Sequence, residues 1–165
     1  MPPVALPERA TQDRIIALFR DQLGYRYLGN WIARADNRNI EHDLLSAWLA
    51  KRGTSKDLAG RAIHALRTAA DNFSRKLYDN NQEVYKLLRY GVQVKLAAGE
   101  NTETVHLVDW EKPNQNDFAI AEEVTLKGGH ERRPDLVLYI NGIAFAVIEL
   151  KKSTTTIGDG IRQLL

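Results

Sequence analysis

Cysteine is absent from the 165 residues. That excludes disulfides and thiolate metal sites, and it fits a reducing cytosol. Long apolar runs are also missing, and none approaches the roughly 20 residues of a membrane-crossing helix. The first ten residues, MPPVALPERA, lack a basic start followed by an apolar stretch, which excludes a secretory signal. Charge of one sign is scarce. Lys and Arg number 23 against 21 Asp and Glu, a net +2, so attraction for nucleic acid has to come from local clustering rather than bulk charge. His42, His64, His106 and His130 show no metal-ligand spacing. No G-x-x-x-x-G-K-[ST] loop exists to cradle a nucleotide phosphate. Repeats and low-complexity segments are lacking too. What remains is 44% hydrophobic, enough for a packed core in a chain whose length suits one domain.

The first half reads as helices. Ile15, Leu18, Phe19 and Leu23 share a helical face that Gly24 ends. Leu44, Leu45, Trp48 and Leu49 repeat the pattern before Gly53. Ser55 caps a third helix carrying Leu58, Ala62, Ile63, Leu66, Ala70 and Phe73. Asn80 or Asn81 caps a fourth with Val84, Leu87 and Leu88 inward, ending at Gly91. The second half reads as strands. Val92, Val94 and Leu96 alternate with polar residues, and Val105 and Leu107 follow. Phe118, Ile120, Val124 and Leu126 share one parity, interrupted by Glu122. Then come two wholly apolar runs, Leu136–Ile140 and Ile143–Leu150, joined at Asn141-Gly142, a strong hairpin signal. Strands of this kind are covered on both faces. A helix begins in 156–165. Trp31, Trp48 and Trp110 are expected in the core, and Asp109 and Glu111 in a turn.

The two apolar runs carry charge at their ends. Asp135 opens the first, and Glu149 and Lys151 close the second. Charges at the mouths of buried strands are costly unless paired or metal-bound. Two carboxylates and one lysine are what metal-assisted phosphodiester cleavage needs. The carboxylates hold a hard cation such as Mg²⁺ through oxygen, the ion activates a water, and the lysine orients that water or helps deprotonate it. The bland alternative is a set of solvated strand ends, since Glu-x-Lys triplets arise by chance. Lys127, His130, Arg132 and Arg133 before Asp135, and Lys151, Lys152 and Arg162 after Glu149, flank the site as candidate phosphate contacts.

The stretch RRPDLVLYINGIAFAVIELKKSTTTIGDGIRQLL resembles the N-terminal nuclease region of the R subunit of type I restriction enzymes, within the PD-(D/E)xK nuclease superfamily. The likeness continues upstream through LYDNNQEVYKLLRYGVQV and VHLVDWEKPNQNDFAIAEEVTLKGG to PERATQDRIIALFRDQLGYRYLG. It implies an α/β restriction-endonuclease-like core, a mixed sheet flanked by helices with a helical N-terminal half. It implies one nuclease domain over 1–165, with 1–90 mainly helical, 91–152 the sheet and catalytic hairpin, and 156–165 the start of a helix cut short in a longer subunit. The activity implied is that of a type I site-specific deoxyribonuclease, a Mg²⁺-dependent endonuclease cutting double-stranded DNA. ATP would be used only by a motor elsewhere in the subunit. The partners implied are DNA and the modification and specificity subunits, in the cytoplasm. Asp135, Glu149 and the Leu150 carbonyl would hold the metal, and Lys151 would act on the water. Glu8, in the first turn of helix one and one turn from Gln12, matches a helix-borne acid of the superfamily, with Glu83 as its rival. Gln163 matches the Gln of a Q-x-x-x-Y motif. The rival function is an inactive DNA-binding or docking module on the same fold.

The chemistry also constrains the hairpin. Residues directly opposed across a strand pair share a face. A two-residue turn pairing Ile140 with Ile143 would oppose Asp135 to Ile148 and turn Glu149 away. A shift of one residue is therefore expected, in its simplest form a three-residue loop pairing Asp135 with Glu149.

Overall fold

The computed structural model describes residues 8–97, 99, 101–126 and 132–151. The expected helix within 156–165, with Arg162 and Gln163, lies outside these residues, as do Lys127, His130 and Lys152. The chain is mixed α/β and divides into two compact units.

The first unit comprises residues up to Asn39, Phe118–Ile140 and the chain from Ala144 onward. It opens with α1 (Glu8–Ala17), which runs into a π turn over Leu18–Gln22. The extra residue in each π turn advances the helical phase. Within α1, Gln12 and Ile16 take the buried positions one turn apart, and Leu18 and Leu23, expected inward, are exposed. A strand that sequence patterning did not reveal follows, β1 (Arg26–Asn30), with a bulge between Tyr27 and Gly29. It pairs in parallel with β4 (Phe118–Glu122), and β4 pairs antiparallel with β5 (Leu136–Ile140), Glu122 opposite Leu136. β6 (Ile143–Ile148) completes a mixed sheet of order β1-β4-β5-β6. Ile16 packs with Ile120, Leu136 and Leu138, and Ile15, Phe19, Ala146 and Ile148 close around them.

The second unit spans Ile40–Asp117 and Asn141–Ile143. It contains α2 (His42–Lys51), α3 (Lys56–Ala70), α4 (Leu77–Tyr90) and a hairpin of β2 (Val92–Val94) with β3 (Glu103–Val105). Leu45, Trp48, Leu49, Ile63, Leu66, Val92, Val105 and Leu107 form its core. The Ser55 hydroxyl accepts the Leu58 N–H, the expected cap. Three expectations need correction. Helix α3 ends at Ala70, so Phe73 is not on its inner face and is exposed. Helix α4 begins at Leu77, so Asn80 is a buried residue inside it, its amide donating to the Asn72 carbonyl at 2.8 Å. Trp110 is half exposed, its indole N–H on the Leu88 carbonyl and Arg89 over its ring, while Trp31 and Trp48 are in the core. Asp109 does close a turn, through the Lys112 N–H, and it also pairs with Arg52.

The connection between β5 and β6 is the two-residue Asn141-Gly142, both with positive φ, 53° and 85°. The three-residue loop is therefore not what forms. Asn141 is fully buried. Its carbonyl oxygen accepts the Asp117 N–H at 2.7 Å, and its amide donates to Leu107 O at 3.0 Å and Asn116 Oδ1 at 2.9 Å. Glycine follows because a Cβ there would sit 2.6 Å from the Leu44 Cβ. Replacing Asn141 with Ala removes three hydrogen bonds and puts a less tolerant residue at positive φ. The expected cost is about 2–4 kcal/mol, read as a lowered midpoint in urea unfolding.

Candidate active site

The end of β4, the approach to β5 and the residues after β6 meet helix α1 in the first unit. Local chemistry fixes each piece. Pro134 precedes Asp135 and enforces an extended entry to β5. Ile148 ends β6 one residue before Glu149, so Glu149, Leu150 and Lys151 follow the strand rather than belong to it. Leu136 and Leu138 share one core cluster with Ala146 and Ile148, whereas Phe145 and Val147 are exposed. The turn has two residues where a three-residue loop was expected, and the chain after β6 still reaches Asp135.

The Leu150 N–H donates to Asp135 Oδ2 at 2.6 Å, which ties the chain after β6 to the start of β5. Lys151 Nζ contacts Glu149 Oε1 at 2.8 Å, with side chains 27% and 7% exposed respectively. Burial pushes the Asp135 carboxyl above its usual range. The Leu150 N–H opposes this, and the neighbouring Glu149, Glu123 and Glu8 add to it. The Lys151 ammonium is held above its usual range, first by its hydrogen bond to Glu149 and further by Asp135 and Glu8. Glu8, at the first position of α1, is thus within the electrostatic reach of both. Glu83 lies in the second unit, paired with Lys86 at 3.5 Å. Among the expected phosphate contacts, Arg133 pairs with Glu123 at 3.1 Å.

Sequence patterning missed the group beneath these residues. Glu122 is buried, and its Oε2 accepts from Arg9 Nη1 at 2.7 Å and Gln12 Nε2 at 3.0 Å. Its Oε1 accepts the Tyr27 hydroxyl at 2.6 Å. Burial alone would raise the Glu122 carboxyl. The bonds from Tyr27 and Arg9 outweigh it and keep the group below the usual carboxylate range. The signal lay in the strand pattern, where Glu122 holds an inward position. A carboxylate at such a position needs donors from elsewhere in the chain.

Among the described residues, no group of three His, Asp or Glu side chains is arranged to hold a metal ion by itself. The Asp135–Glu149 pair and the Leu150 carbonyl offer oxygen donors, the class that a hard divalent cation takes while keeping several waters. No helix among the described residues is long and apolar enough to cross a membrane.

Comparison with known proteins bears on this arrangement. The family described as "Type I restriction enzyme R protein N terminus" matches residues 5–165. The chain is similar to the type I restriction enzyme HindI endonuclease subunit of Haemophilus influenzae, 37% identical over 75 residues, 43% of this chain and 7% of that protein. It is also 37% identical over 83 residues to a Methanocaldococcus jannaschii protein described as a type I restriction enzyme MjaIXP endonuclease subunit, covering 46% of this chain and 8% of the relative. Less than a tenth of the length of either relative is matched.

Tyr27 gives a direct check on the buried network. Burial and the bond to Glu122 push its hydroxyl from 10.0 up to about 12. The folded state therefore holds this proton more tightly than the unfolded chain. The stability it contributes is complete below pH 10 and is lost as pH rises toward 12. Tyr27→Phe should be the less stable protein near neutrality, and its deficit should shrink across that window. Denaturant unfolding at a series of alkaline pH values measures it, and a deficit independent of pH would contradict the network.

Proposed function

The chain belongs to the family of type I restriction enzyme R protein N termini, and on that premise we propose that it is the nuclease portion of such a subunit, a PD-(D/E)xK core that cleaves double-stranded DNA with Mg²⁺. The observation that carries the reading is the Leu150 N–H on Asp135 Oδ2. That bond draws the Glu149-Leu150-Lys151 segment onto Asp135, so that residues 14 to 16 apart in sequence act at one place. The Asp135 carboxyl, raised first by burial and then by Glu149, Glu123 and Glu8, supports it as well, because a bound cation relieves both.

Asp135, Glu149 and the Leu150 carbonyl would hold the cation. When bound, Mg²⁺ supplies Lewis acidity at the scissile phosphate and lowers the pKa of a water. The hydrogen bond to Glu149, and Asp135 beyond it, favour the charged form of Lys151. Lys151 would orient the attacking water or help deprotonate it, and place positive charge near the phosphate. Glu8 would supply the helix-borne carboxylate. Gln163 is proposed as a further site residue on the strength of its motif. DNA and the modification and specificity subunits of a restriction complex are the proposed partners, with target recognition assigned to the specificity subunit.

Cleavage of plasmid DNA by the full-length subunit in its complex tests this. Asp135→Ala and Glu149→Ala should each abolish cutting and weaken Mg²⁺ binding in calorimetry. Lys151→Ala should lower the rate by at least about 100-fold while sparing Mg²⁺ affinity, because an ammonium is not a ligand. Near wild-type cutting by Lys151→Ala would reject the assignment. Unchanged Mg²⁺ binding in both carboxylate variants would favour an inactive docking module on the same fold.

A further inference from the structure

The buried group under the site does more than fill space. Each Glu122 oxygen accepts a short hydrogen bond, from Arg9 and Gln12 on one and from Tyr27 on the other. A carboxylate engaged in this way is a poor cation ligand, although it stands at the end of β4. Its effect is to fix Gln12, which is only 3% exposed. The Gln12 amide nitrogen carries two hydrogens and has three acceptors in reach. They are Glu122 Oε2 at 3.0 Å, Glu123 Oε1 at 3.3 Å and the Asp135 backbone carbonyl at 3.3 Å. The same carbonyl accepts the Glu123 N–H at 2.9 Å. One amide thus touches the end of β4 and the backbone of Asp135 from a helix that carries Glu8 one turn earlier.

We propose that Gln12, clamped by Glu122, is a positioning residue of the nuclease site. It holds the Asp135 backbone against α1, and so sets the Asp135 carboxylate and Glu8 relative to one another. The proposal rests on the reading of Asp135, Glu149 and Lys151 given above. Burying a charged network costs desolvation, and apolar side chains of the same shape often serve stability as well. A network that ends on the backbone of a proposed metal ligand sets orientation, which apolar packing does not. Residues beneath a metal site fix the geometry of its ligands in this manner.

Three variants of the full-length subunit in its complex test the idea, each measured for thermal unfolding and for DNA cleavage against Mg²⁺ concentration. Gln12→Met keeps the volume and removes the donors. It should slow cleavage by on the order of 10- to 100-fold and raise the Mg²⁺ concentration at half-maximal rate. The exchange of Gln12→Glu with Glu122→Gln rebuilds the hydrogen bond between the two side chains with its direction reversed. It cannot restore a donor to the Asp135 carbonyl. Its unfolding temperature should return toward wild type while cleavage stays low. Recovery of cleavage together with stability would reduce Gln12 to a structural role and overturn the proposal. So would a Gln12→Met variant with wild-type rate and Mg²⁺ dependence. Should the exchange not recover stability, the Mg²⁺ dependence of Gln12→Met decides alone. Lys151→Ala is the control. If it cuts, the site reading itself fails. If it is inactive while Gln12→Met cuts normally, only the positioning role fails.

Discussion

The burial of a carboxylate at the end of β4 is the constraint around which the first unit is organised. Glu122 stands where the pattern of the strand calls for an apolar side chain, and a charge removed from water has to be met by donors. Arg9 and Gln12 come from α1, and Tyr27 comes from β1. A single charge therefore ties a helix and a parallel strand to the sheet at one spot, in addition to the apolar contact of Ile16 with Ile120, Leu136 and Leu138. Directionality separates the two kinds of contact. Apolar packing tolerates small rotations of α1, whereas three hydrogen bonds to one carboxylate do not.

Charge is distributed unevenly across neighbouring carboxylates as a result. Glu122 is saturated with donors and stays ionised below the usual range. Asp135 has the Leu150 N–H, but burial first, and the neighbouring Glu149, Glu123 and Glu8 after it, hold its proton more tightly. Acids pushed in opposite directions by their surroundings divide structural from chemical roles. In this fold the saturated acid is the scaffold and the crowded one is the candidate ligand. Lys151, held by Glu149, also feels the charge of that crowded group.

The sequence displayed local features well and long-range ones poorly. The paired apolar runs, the Asn141-Gly142 turn and the Ser55 cap are set by residues a few positions apart and form close to where patterning puts them. Strand β6 nonetheless stops at Ile148 and leaves Phe145 and Val147 exposed rather than covered. Asp135, Glu149 and Lys151 stood out for the same reason, being charges at the ends of apolar runs. Strand β1 escaped notice because RYLGN has little apolar alternation, contains a glycine and bends at a bulge. Its pairing with β4 is set by tertiary contact. The face of α1 was misjudged because its inward positions are Gln12 and Ile16, and a buried glutamine gives no apolar signal. Gln12 and Glu122 lie 110 residues apart, so only the fold shows that they meet. The length of the turn was misjudged, because Asn141 and Gly142 both take positive φ and close β5 onto β6 with two residues rather than three.

Asp135 and Glu149 are proposed to act together on one divalent cation. Anomalous scattering from Mn²⁺ soaked into crystals of the protein is the most direct test. The account predicts one strong peak between the two carboxylates, with oxygen ligands from Asp135, Glu149 and the Leu150 carbonyl at about 2.0–2.3 Å. It also predicts loss of that peak in Glu149→Ala. A peak elsewhere, or none at saturating Mn²⁺ with both side chains ordered, would contradict it.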